Sequence, residues 1–433
     1  MSNLLIYNAR IVTPIGHSAL RGKDMSNLQI IEKGIIRAEN GIITYVGPDT
    51  FEDRHVYNHG AAVDVHGNCV LPGFVDSHTH FVFGGERSEE FSWRLKGESY
   101  MSIMKRGGGI ASTVKATRAL DIDTMFSRGR QMLNRMSRMG VTTVEGKSGY
   151  GLDDHTEINQ LKVMKRLNDM SEKKVDVVST YLGAHAVPPE YSGRPDEYID
   201  FMIDYMLQPI HDNKLAEFCD VFCEDGVYSV EQSRRLLTAA KKAGFKLKIH
   251  ADEIVSYGGA ELAAELGAVS ADHLLCASDK GIKAMAENNV VCTLLPLTAF
   301  ALKGDYARGR EMIDAGCAVA LATDLNPGSC FSGSIPLTFA LACINMGLSI
   351  EEAITAMTLN GAAALGRADS IGSIEVGKKA DLVIIKSPDY NFIPYYVGMN
   401  SVTGVIKNGI LYNVDDIQRD NMMRPEGRLE III

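Results

Sequence analysis

The sequence of 433 residues has no excess of positive charge and no long apolar run. It contains 44 Lys and Arg against 54 Asp and Glu, and a formal net charge of −10 argues against a nucleic acid as the partner. No stretch approaches the roughly 18 apolar residues of a membrane span, and the first residues lack the pattern of a signal peptide. These absences predict a cytoplasmic protein without a nucleic acid or membrane partner.

The eight cysteines form no Cys-x-x-Cys motif, and most lie inside apolar stretches such as VVCTLLP (290–296). Thiols in such stretches behave as small buried hydrophobic residues. We therefore expect a reducing compartment and no disulfide framework.

Short β-rich runs alternate with amphipathic segments between residues 69 and 373, which predicts a (β/α)8 barrel of the TIM type. Near-continuous apolar strands separated by helices are typical of a parallel sheet covered on both faces. One predicted helix has Ser229 and Glu231 at its start and Gly244 at its exit. The eight runs span residues 69–80, 141–149, 175–185, 219–226, 246–253, 269–274, 290–296 and 317–324.

Both ends of the chain are β-rich and lack helical periodicity. Residues 1–68 contain strand-like stretches and an Asn-Gly hairpin signal, and strands return in residues 374–433. We expect the two ends to join in one small β-sandwich beside the barrel of residues 69–373. We also expect a homodimer, which is common for such barrels.

Five of the eight predicted strands end in a His or an Asp. In (β/α)8 barrels, side chains at the C-terminal ends of the strands build the active site. His78 and His80 lie two residues apart, so both can face the barrel mouth. The other strand-end residues are His185, His250 followed by Asp252 and Glu253, Asp272 with His273, and Asp324.

The set His78, His80, His250 and Asp324 predicts a site for one divalent metal. Three imidazoles and a carboxylate suit zinc or iron better than magnesium or calcium, which prefer oxygen ligands. Water bound to zinc has a pKa of roughly 7, so hydroxide is available at neutral pH.

The second and fourth runs bear on the number of ions. The fourth run ends in Glu224 and supplies no lysine that, once carboxylated, would bridge two ions. We therefore expect a single ion. Lys147 ends the second run, and we interpret it as part of a salt bridge at the rim.

Several candidates also fit a structural role. His185 lies before two prolines and could cap a loop, and His273 could be a barrel histidine with satisfied hydrogen bonds. Arg87 has three acidic neighbours, and Tyr150 lies in a Gly-rich loop where it could simply pack. The three glycines at 107–109 lack the phosphate-loop pattern, and we interpret them as part of a flexible loop over the barrel mouth.

Longer motifs resemble the imidazolonepropionases of the amidohydrolase superfamily. The likeness extends from about residue 3 to about residue 412. Two positions depart from the family pattern: Ser77 stands where Cys is frequent, and Leu297 where Gly is usual. The motifs are PGFVDSHTHFVFGGER (72–87), GGGIASTVKATR (107–118), KSGYGL (147–152), LGAHAVPPEY (182–191), HADE (250–253), SADHL (270–274) and LATDLNPGS (321–329).

The resemblance implies hydrolytic opening of the ring of 4-imidazolone-5-propanoate to N-formimino-L-glutamate in histidine breakdown. It implies metal ligands at the four positions already given. It also implies substrate contacts at Arg87, Tyr150, His185, Glu253, Asn326, Gly328 and Ser329.

Roles follow from this substrate. We expect Asp324 or His273 to take the proton of the attacking water, and Glu253 to pass a proton to the leaving nitrogen. Arg87 can hold the propanoate through two hydrogen bonds. The backbone N–H groups of Asn-Pro-Gly-Ser (326–329) could hold a carboxylate too.

Two alternatives stay open. A deaminase of the same superfamily would use the same metal ligands, but its neutral base would offer Arg87 no carboxylate. A non-enzymatic scaffold is the other alternative, and such relatives have lost their metal ligands.

Overall fold

The structure is a computed structural model that describes residues 3–50, 60–98 and 106–414. Two eight-stranded sheets organise these residues. Strands of the first sheet come from both chain ends: β1 Asn3–Thr13, β2 Gln29–Glu39, β3 Ile42–Pro48, β4 Ala61–Asp64 and β5 Cys69–Pro72, with β14 Leu382–Ile385, β15 Val402–Lys407 and β16 Ile410–Asn413. The second sheet contains β6 Phe74–Asp76, β7 Val141–Lys147, β8 Asp176–Ala184, β9 Phe218–Cys223, β10 Lys246–Ala251, β11 Ser270–His273, β12 Val291–Leu294 and β13 Ala318–Leu321.

The second sheet is the predicted barrel. Its strands are parallel and lie side by side in chain order from β6 to β13. The ring closes just past the strand ends, where Asp324 N donates to His78 O at 3.0 Å and His80 N donates to Leu325 O at 2.9 Å. All eight predicted strands and the (β/α)8 fold class are confirmed.

Fifteen helices lie among the described residues, most of them between successive barrel strands. They are α1 Ser88–Leu95, α2 Ile110–Arg118, α3 Ile122–Arg138, α4 Asp154–Asn168, α5 Pro195–Phe201, α6 Leu207–Asp212, α7 Val230–Lys242, α8 Gly259–Leu266, α9 Asp279–Glu287, α10 Pro296–Leu302, α11 Gly309–Asp314, α12 Ile335–Asn345, α13 Ile350–Met357, α14 Leu359–Ala364 and α15 Phe392–Tyr395. Short 3₁₀ turns occupy Gly22–Ser26 and Pro189–Tyr191, and a π turn occupies Met202–Met206. In the part of the chain that is described, no helix combines the length and apolar character that a membrane crossing requires.

Helix α7 shows how local sequence sets these boundaries. Ser229 Oγ accepts from Gln232 N, and Gln232 Oε1 accepts from Ser229 N, so a capping box starts the helix. Gly244 follows the last turn with a φ of +101°, which glycine adopts without strain. The predicted start and exit of this helix are confirmed.

The first sheet joins both chain ends, as predicted for the β-sandwich. Its strands run in the order β16-β15-β14-β5-β1-β2-β3, with β4 beside β1. A separate apolar core contains buried residues from both ends, among them Leu4, Ile36, Leu382 and Ile406. The small β domain therefore has a hydrophobic interior of its own.

The first predicted run, 69–80, is divided between the two sheets. Cys69–Pro72 pairs with β1 and β14, and the barrel strand starts only at Phe74. Gly73 separates them, and a Cβ there would lie 2.3 Å from Thr142 Oγ1, so the chain passes too closely for a side chain. The domain limits at residues 68 and 373 stay a prediction.

A buried ion cluster ties the small domain to the barrel. Lys407 Nζ at the end of β15 donates to Asp176 Oδ2 at 2.8 Å and to Asp381 Oδ2 at 2.7 Å. Lys379 Nζ lies 3.2 Å from the same oxygen of Asp176, which begins β8. We call Lys407, Asp176 and Asp381 the interdomain cluster.

Candidate active site

Five of the predicted site residues meet at the C-terminal ends of the barrel strands. None is more than 3% exposed. Candidate donor atoms of His78, His80 and His250 lie within 4.8 Å of one another, and the same holds for His78, His273 and Asp324. These five residues are called the mouth cluster.

All four imidazoles of the mouth cluster have a buried nitrogen without a hydrogen-bond partner among the described residues: Nε2 of His78, Nδ1 of His80, both nitrogens of His250 and Nδ1 of His273. In His78 and His250 the unpartnered nitrogens include Nε2. The opposite nitrogen of each ring faces a carboxylate. His78 Nδ1 lies 2.6 Å from Asp272 Oδ2, and His250 Nδ1 lies 3.0 Å from Asp220 Oδ2. A carboxylate that accepts the Nδ1 proton leaves the Nε2 lone pair available, which is the arrangement typical of metal-binding histidines.

Electrostatics favour neutral imidazoles at this point. Burial and the charge of Lys147 hold the pKa of His78 well below its usual value, and burial together with His185 does the same for His80. Metal binding requires unprotonated histidine. Both rings are therefore in the protonation state that a metal needs at neutral pH.

Asp324 completes the cluster from the end of β13. Its Oδ1 lies 3.6 Å from Nε2 of both His78 and His80, and its Oδ2 accepts from Thr298 Oγ1 at 2.6 Å. Burial raises the pKa of this carboxyl to about 6, and the Thr298 hydrogen bond opposes the rise. The carboxylate is ionised at neutral pH, and one of its oxygens faces Nε2 of both imidazoles.

A charged network lies beneath the mouth cluster in the barrel interior. Lys147 Nζ lies 2.6 Å from Asp220 Oδ2, 3.1 Å from Glu145 Oε1 and 3.3 Å from Asp272 Oδ2. Lys248 Nζ lies 2.8 Å from Glu145 Oε2. All five side chains are fully buried. The interpretation of Lys147 as a rim residue is wrong, because residues on a barrel strand alternate in direction and this one points inward.

Glu253 and His273 form one wall of the site. His273 Nδ1 lies 3.6 Å from Glu253 Oε2. Burial, followed by the charges of Asp324 and Glu224, raises the pKa of Glu253 to about 8. The carboxylate of Glu224 accepts from the backbone N–H groups of residues 253 to 255, so the residue that ends the fourth run positions the loop of Glu253.

Tyr150 and His185 form the opposite wall. The His185 ring stacks on His80 with centroids 5.0 Å apart, and the Tyr150 ring lies 5.2 Å from His185. His185 Nδ1 is 3.1 Å from Gly149 O, which fixes the ring on the Gly-rich loop. Burial lowers the pKa of His185 to about 3, with the neighbouring His250 adding to the effect. The wall therefore presents a neutral imidazole and a phenol.

Arg87 packs against Gly328 over the same mouth. A Cβ on Gly328 would lie 0.9 Å from Arg87 Nη2, so only glycine leaves room for the guanidinium. The buried Nε of Arg87 has no hydrogen-bond partner among the described residues. Arg94 Nη2 donates to Gly328 O at 2.9 Å. Sequence reasoning missed Arg94, which lies in the last turn of α1, seven residues after Arg87.

The loop after β13 is organised by its own asparagine. Asn326 Oδ1 accepts from the backbone N–H groups of Gly328 and Ser329, both at 2.8 Å, and Asn326 Nδ2 donates to Asp324 O at 2.7 Å. The next helix begins only at Ile335. The N–H groups of Gly328 and Ser329 thus donate within the loop itself, and their contact with a substrate carboxylate stays a prediction.

Two further predicted features have local explanations. Gly109 N donates to Glu90 Oε1 at 3.0 Å at the start of α2. Residues 99–105, which precede the three glycines, lie outside the described residues. Leu297, the departure from the family pattern, is buried in an apolar cluster with Cys330 and Leu341. It therefore packs against the loop after β13 rather than lining the mouth cluster.

Comparisons with known proteins give the family. A family profile described as amidohydrolase matches residues 69–411. The chain is 70% identical over 414 residues to an imidazolonepropionase of Bacteroides thetaiotaomicron, covering 95% of this chain and 99% of that protein. The chain belongs to the imidazolonepropionase family of the amidohydrolases. Another imidazolonepropionase, from Clostridium tetani, is 58% identical over 411 residues and covers 94% and 97% of the two chains.

Solved structures agree on the fold. An adenosine deaminase from Xanthomonas campestris with bound zinc has a TM-score of 0.67 at 19% identity, covering 98% of this chain and 97% of that chain. A 5-methylcytosine deaminase from Klebsiella pneumoniae has a TM-score of 0.69 at 16% identity, covering 94% and 97%. At these identities the likeness shows the fold and does not decide the reaction.

Proposed function

We propose that this hydrolase opens the ring of 4-imidazolone-5-propanoate with water and produces N-formimino-L-glutamate in histidine degradation. One observation carries the choice of substrate class: the partly buried guanidinium of Arg87 has an unpartnered Nε and lies at the mouth of the barrel whose rim carries the histidine cluster. A substrate with a carboxylate tail and a hydrolysable ring satisfies both features. The two near-full-length relatives with that name support the same reaction.

The mouth cluster fits one divalent metal held by His78, His80, His250 and Asp324. Such an ion supplies a water whose pKa falls to roughly 7, together with Lewis acidity. Nitrogen-rich ligands favour Zn²⁺ or Fe²⁺. In the network joined by the contacts above, four carboxylates face two ammonium groups, and a divalent ion neutralises the remaining charge where Fe³⁺ would leave an excess. The carboxylates are Glu145, Asp220, Asp272 and Asp324, and the ammonium groups are Lys147 and Lys248.

Proton transfer is assigned to the residues around the open imidazole nitrogens. Asp324, with a pKa raised to about 6, accepts the proton of the attacking water, and His273 stabilises the developing oxyanion. Glu253 carries a proton at neutral pH because burial and neighbouring carboxylates raise its pKa to about 8. That proton goes to the leaving ring nitrogen.

Recognition is assigned to the walls of the mouth. Arg87 binds the propanoate, and a planar guanidinium provides two parallel donors for it. Tyr150 and His185 bind the ring by stacking and hydrogen bonding. Asn326, Gly328 and Ser329 act by shaping the loop on which Arg87 rests.

A turnover assay tests the proposal. Urocanase generates the unstable substrate in situ, and its ultraviolet absorbance is followed with the metal-loaded wild type, Arg87→Met and Arg166→Met. Arg166 is a matched control because its side chain is half exposed on α4. Rapid loss of absorbance with the wild type and Arg166→Met, and slow loss with Arg87→Met, is expected. Decay at the spontaneous rate with the wild type contradicts the proposal. Ammonia release from purines or pyrimidines would then favour the deaminase alternative.

We further propose that the chain works as a homodimer in the cytoplasm. All eight cysteines are free and six are buried, which supports a reducing compartment. Exposed apolar side chains around α15, including Tyr395 at 74% and Met399 at 65%, support an interface on that face. Light scattering of the purified protein gives the mass, and a monomer at micromolar concentration contradicts the dimer.

A further inference from the structure

Lys147 is the only residue of the described chain that contacts both carboxylates behind the mouth histidines. Its Nζ lies 2.6 Å from Asp220 Oδ2 and 3.3 Å from Asp272 Oδ2. Those same two oxygens lie against Nδ1 of His250 and Nδ1 of His78, at 3.0 and 2.6 Å. A single ammonium group therefore joins two carboxylate–histidine pairs, of which Asp220, His250 and Asp272 lie on three strands and His78 lies just past the end of a fourth.

The third contact of Lys147 completes its bonding. An ammonium has three donors, and Glu145 Oε1 lies 3.1 Å away as the third acceptor. The side chain is fully buried, so water does not replace any of these partners. With all three protons engaged, the ammonium has one position, and the two aspartates are held relative to each other through it.

Lys248 shows that burial and charge alone do not produce this arrangement. It is also fully buried, but its Nζ donates to Glu145 Oε2 at 2.8 Å and to Ser77 O at 3.1 Å. Its distance to Asp272 Oδ2 is 3.8 Å. Lys248 therefore supports Glu145 and the backbone before His78, whereas Lys147 spans the two aspartates.

We infer that Lys147 is a positioning residue of the metal site, which holds Asp220 and Asp272 so that His250 and His78 both present Nε2 to one ion. The inference rests on the proposed metal site. Carboxylates that bind the rear nitrogen of metal-ligating histidines orient the rings, and their loss weakens metal binding. Lys147 acts one layer further out, by fixing two of these carboxylates with one group.

If Lys147 acted only through its charge, its removal would change the metal affinity in the opposite direction. Removing a positive charge near a cation site makes the surroundings more negative and strengthens cation binding. A positioning role predicts weaker binding, because the carboxylates then lose the group that fixes them. The direction of the change in metal affinity therefore separates the two explanations.

The experiment compares Lys147→Met with Lys407→Met in the full chain. Lys407 is the matched control because it is a buried lysine between two aspartates in the interdomain cluster, on another sheet. Zn²⁺ affinity is measured by competition with a chromogenic chelator, and the absorption spectrum of the Co²⁺-substituted protein reports the ligand geometry. We expect Lys147→Met to bind Zn²⁺ about 10- to 100-fold more weakly, with altered Co²⁺ bands. Lys407→Met keeps the wild-type affinity and spectrum.

The outcomes are distinguishable. Unchanged or tighter Zn²⁺ binding by Lys147→Met overturns the inference and leaves the metal site intact. A wild type that binds no Zn²⁺ overturns the metal site itself. An equal loss of affinity in Lys407→Met shows that general destabilisation is the cause and also overturns the inference. If Lys147→Met does not fold, Lys147→Gln removes the charge but keeps an N–H donor, and the same weakening is expected.

Discussion

Two buried lysines each stand between two aspartates in this molecule, and the surroundings of the aspartates differ. In the interdomain cluster, the carboxylate of Asp381 accepts from Lys407 and from Asn408 N, and Asp176 is shared among three lysines. Around Lys147, the two aspartates face histidines whose outer nitrogens have no partner among the described residues. The carboxylates of the interdomain cluster are all paired with lysines or backbone N–H groups, whereas the network around Lys147 leads to imidazole nitrogens that have no partner among the described residues.

The comparison shows what distinguishes a structural ion cluster from a site. Burial and lysine–carboxylate pairing are present in both. Buried polar groups are normally satisfied, so an unsatisfied one marks a place where a further group binds. Buried nitrogen atoms without a hydrogen-bond partner therefore identify the functional region, whereas buried lysine–carboxylate pairs do not.

The largest expected effect comes from removing an open ligand atom. His250→Ala deletes one unpartnered Nε2, and we expect loss of stoichiometric Zn²⁺ and a fall in kcat/KM of about 10³-fold or more. Metal analysis and the turnover assay check this. His155→Ala, on the exposed start of α4, is the control with unchanged values. Full metal content in His250→Ala would remove the distinction between the two clusters.

The interdomain cluster is expected to affect stability only. Lys407→Met leaves the buried carboxylate of Asp381 without its ammonium partner, while Asp176 keeps Lys173 and Lys379. We therefore expect the free energy of unfolding to fall by about 3 kcal/mol. Urea denaturation measures this change. The folded variant keeps kcat/KM within a factor of two, and a large loss of activity at full folding would contradict the assignment of this cluster as structural.

One added methyl group can test substrate binding by Arg87 independently of metal binding. Gly328→Ala places a Cβ where Arg87 Nη2 now lies, so we expect KM to rise by about 10- to 100-fold, the range of a lost hydrogen bond to a charged group. Zn²⁺ content stays at one ion. Gly333→Ala in the same loop is the matched control, because its nearest neighbour would be 3.6 Å away. Equal KM values for the two variants would contradict the role of Arg87.

The smallest expected effect is a difference in acid sensitivity. Burial alone would raise the pKa of Asp176, but Lys407 and Lys379 hold it below its usual range. The group therefore stabilises the fold above its unfolded pKa of about 3.9, and this stabilisation decreases as the pH falls below that value. Between pH 5 and pH 3 the free energy of unfolding should fall more steeply in the wild type than in Lys407→Met.

Urea midpoints at the two pH values measure these slopes. Lys283→Met serves as the control, since Lys283 is 77% exposed and its pair with Glu287 spans 3.9 Å. Parallel slopes for the wild type and Lys407→Met would show that Asp176 is not the group responsible.

The sequence was sufficient for the barrel and for the rim residues. Continuous apolar runs predict buried parallel strands, and the ends of such strands meet at one rim, so His78, His250 and Asp324 could be assigned together. The sequence did not reveal that residues 69–76 are divided between the two sheets. The pairing of Cys69–Pro72 with β14 depends on a strand more than 300 positions away in the chain.

The interior network was missed for a different reason. Glu145 and Lys147 are two residues apart on β7, and so are Lys248 and His250 on β10. Such spacing puts each pair on the same side of its strand, and this signal was available. Which lysine bonds to which carboxylate depends on strand stagger around the barrel, which sequence spacing does not contain.

The closing hydrogen bond from Asp324 N to His78 O has a consequence for the order of assembly. Synthesis proceeds from the N-terminus, so His78 and His80 leave the ribosome long before Asp324. The full ligand set exists only once the eighth strand has met the first. An ion bound there connects two chain segments that are far apart in sequence, and its binding offsets part of the entropy lost when they are brought together. The ion therefore stabilises the barrel after it has closed and does not act as a folding nucleus.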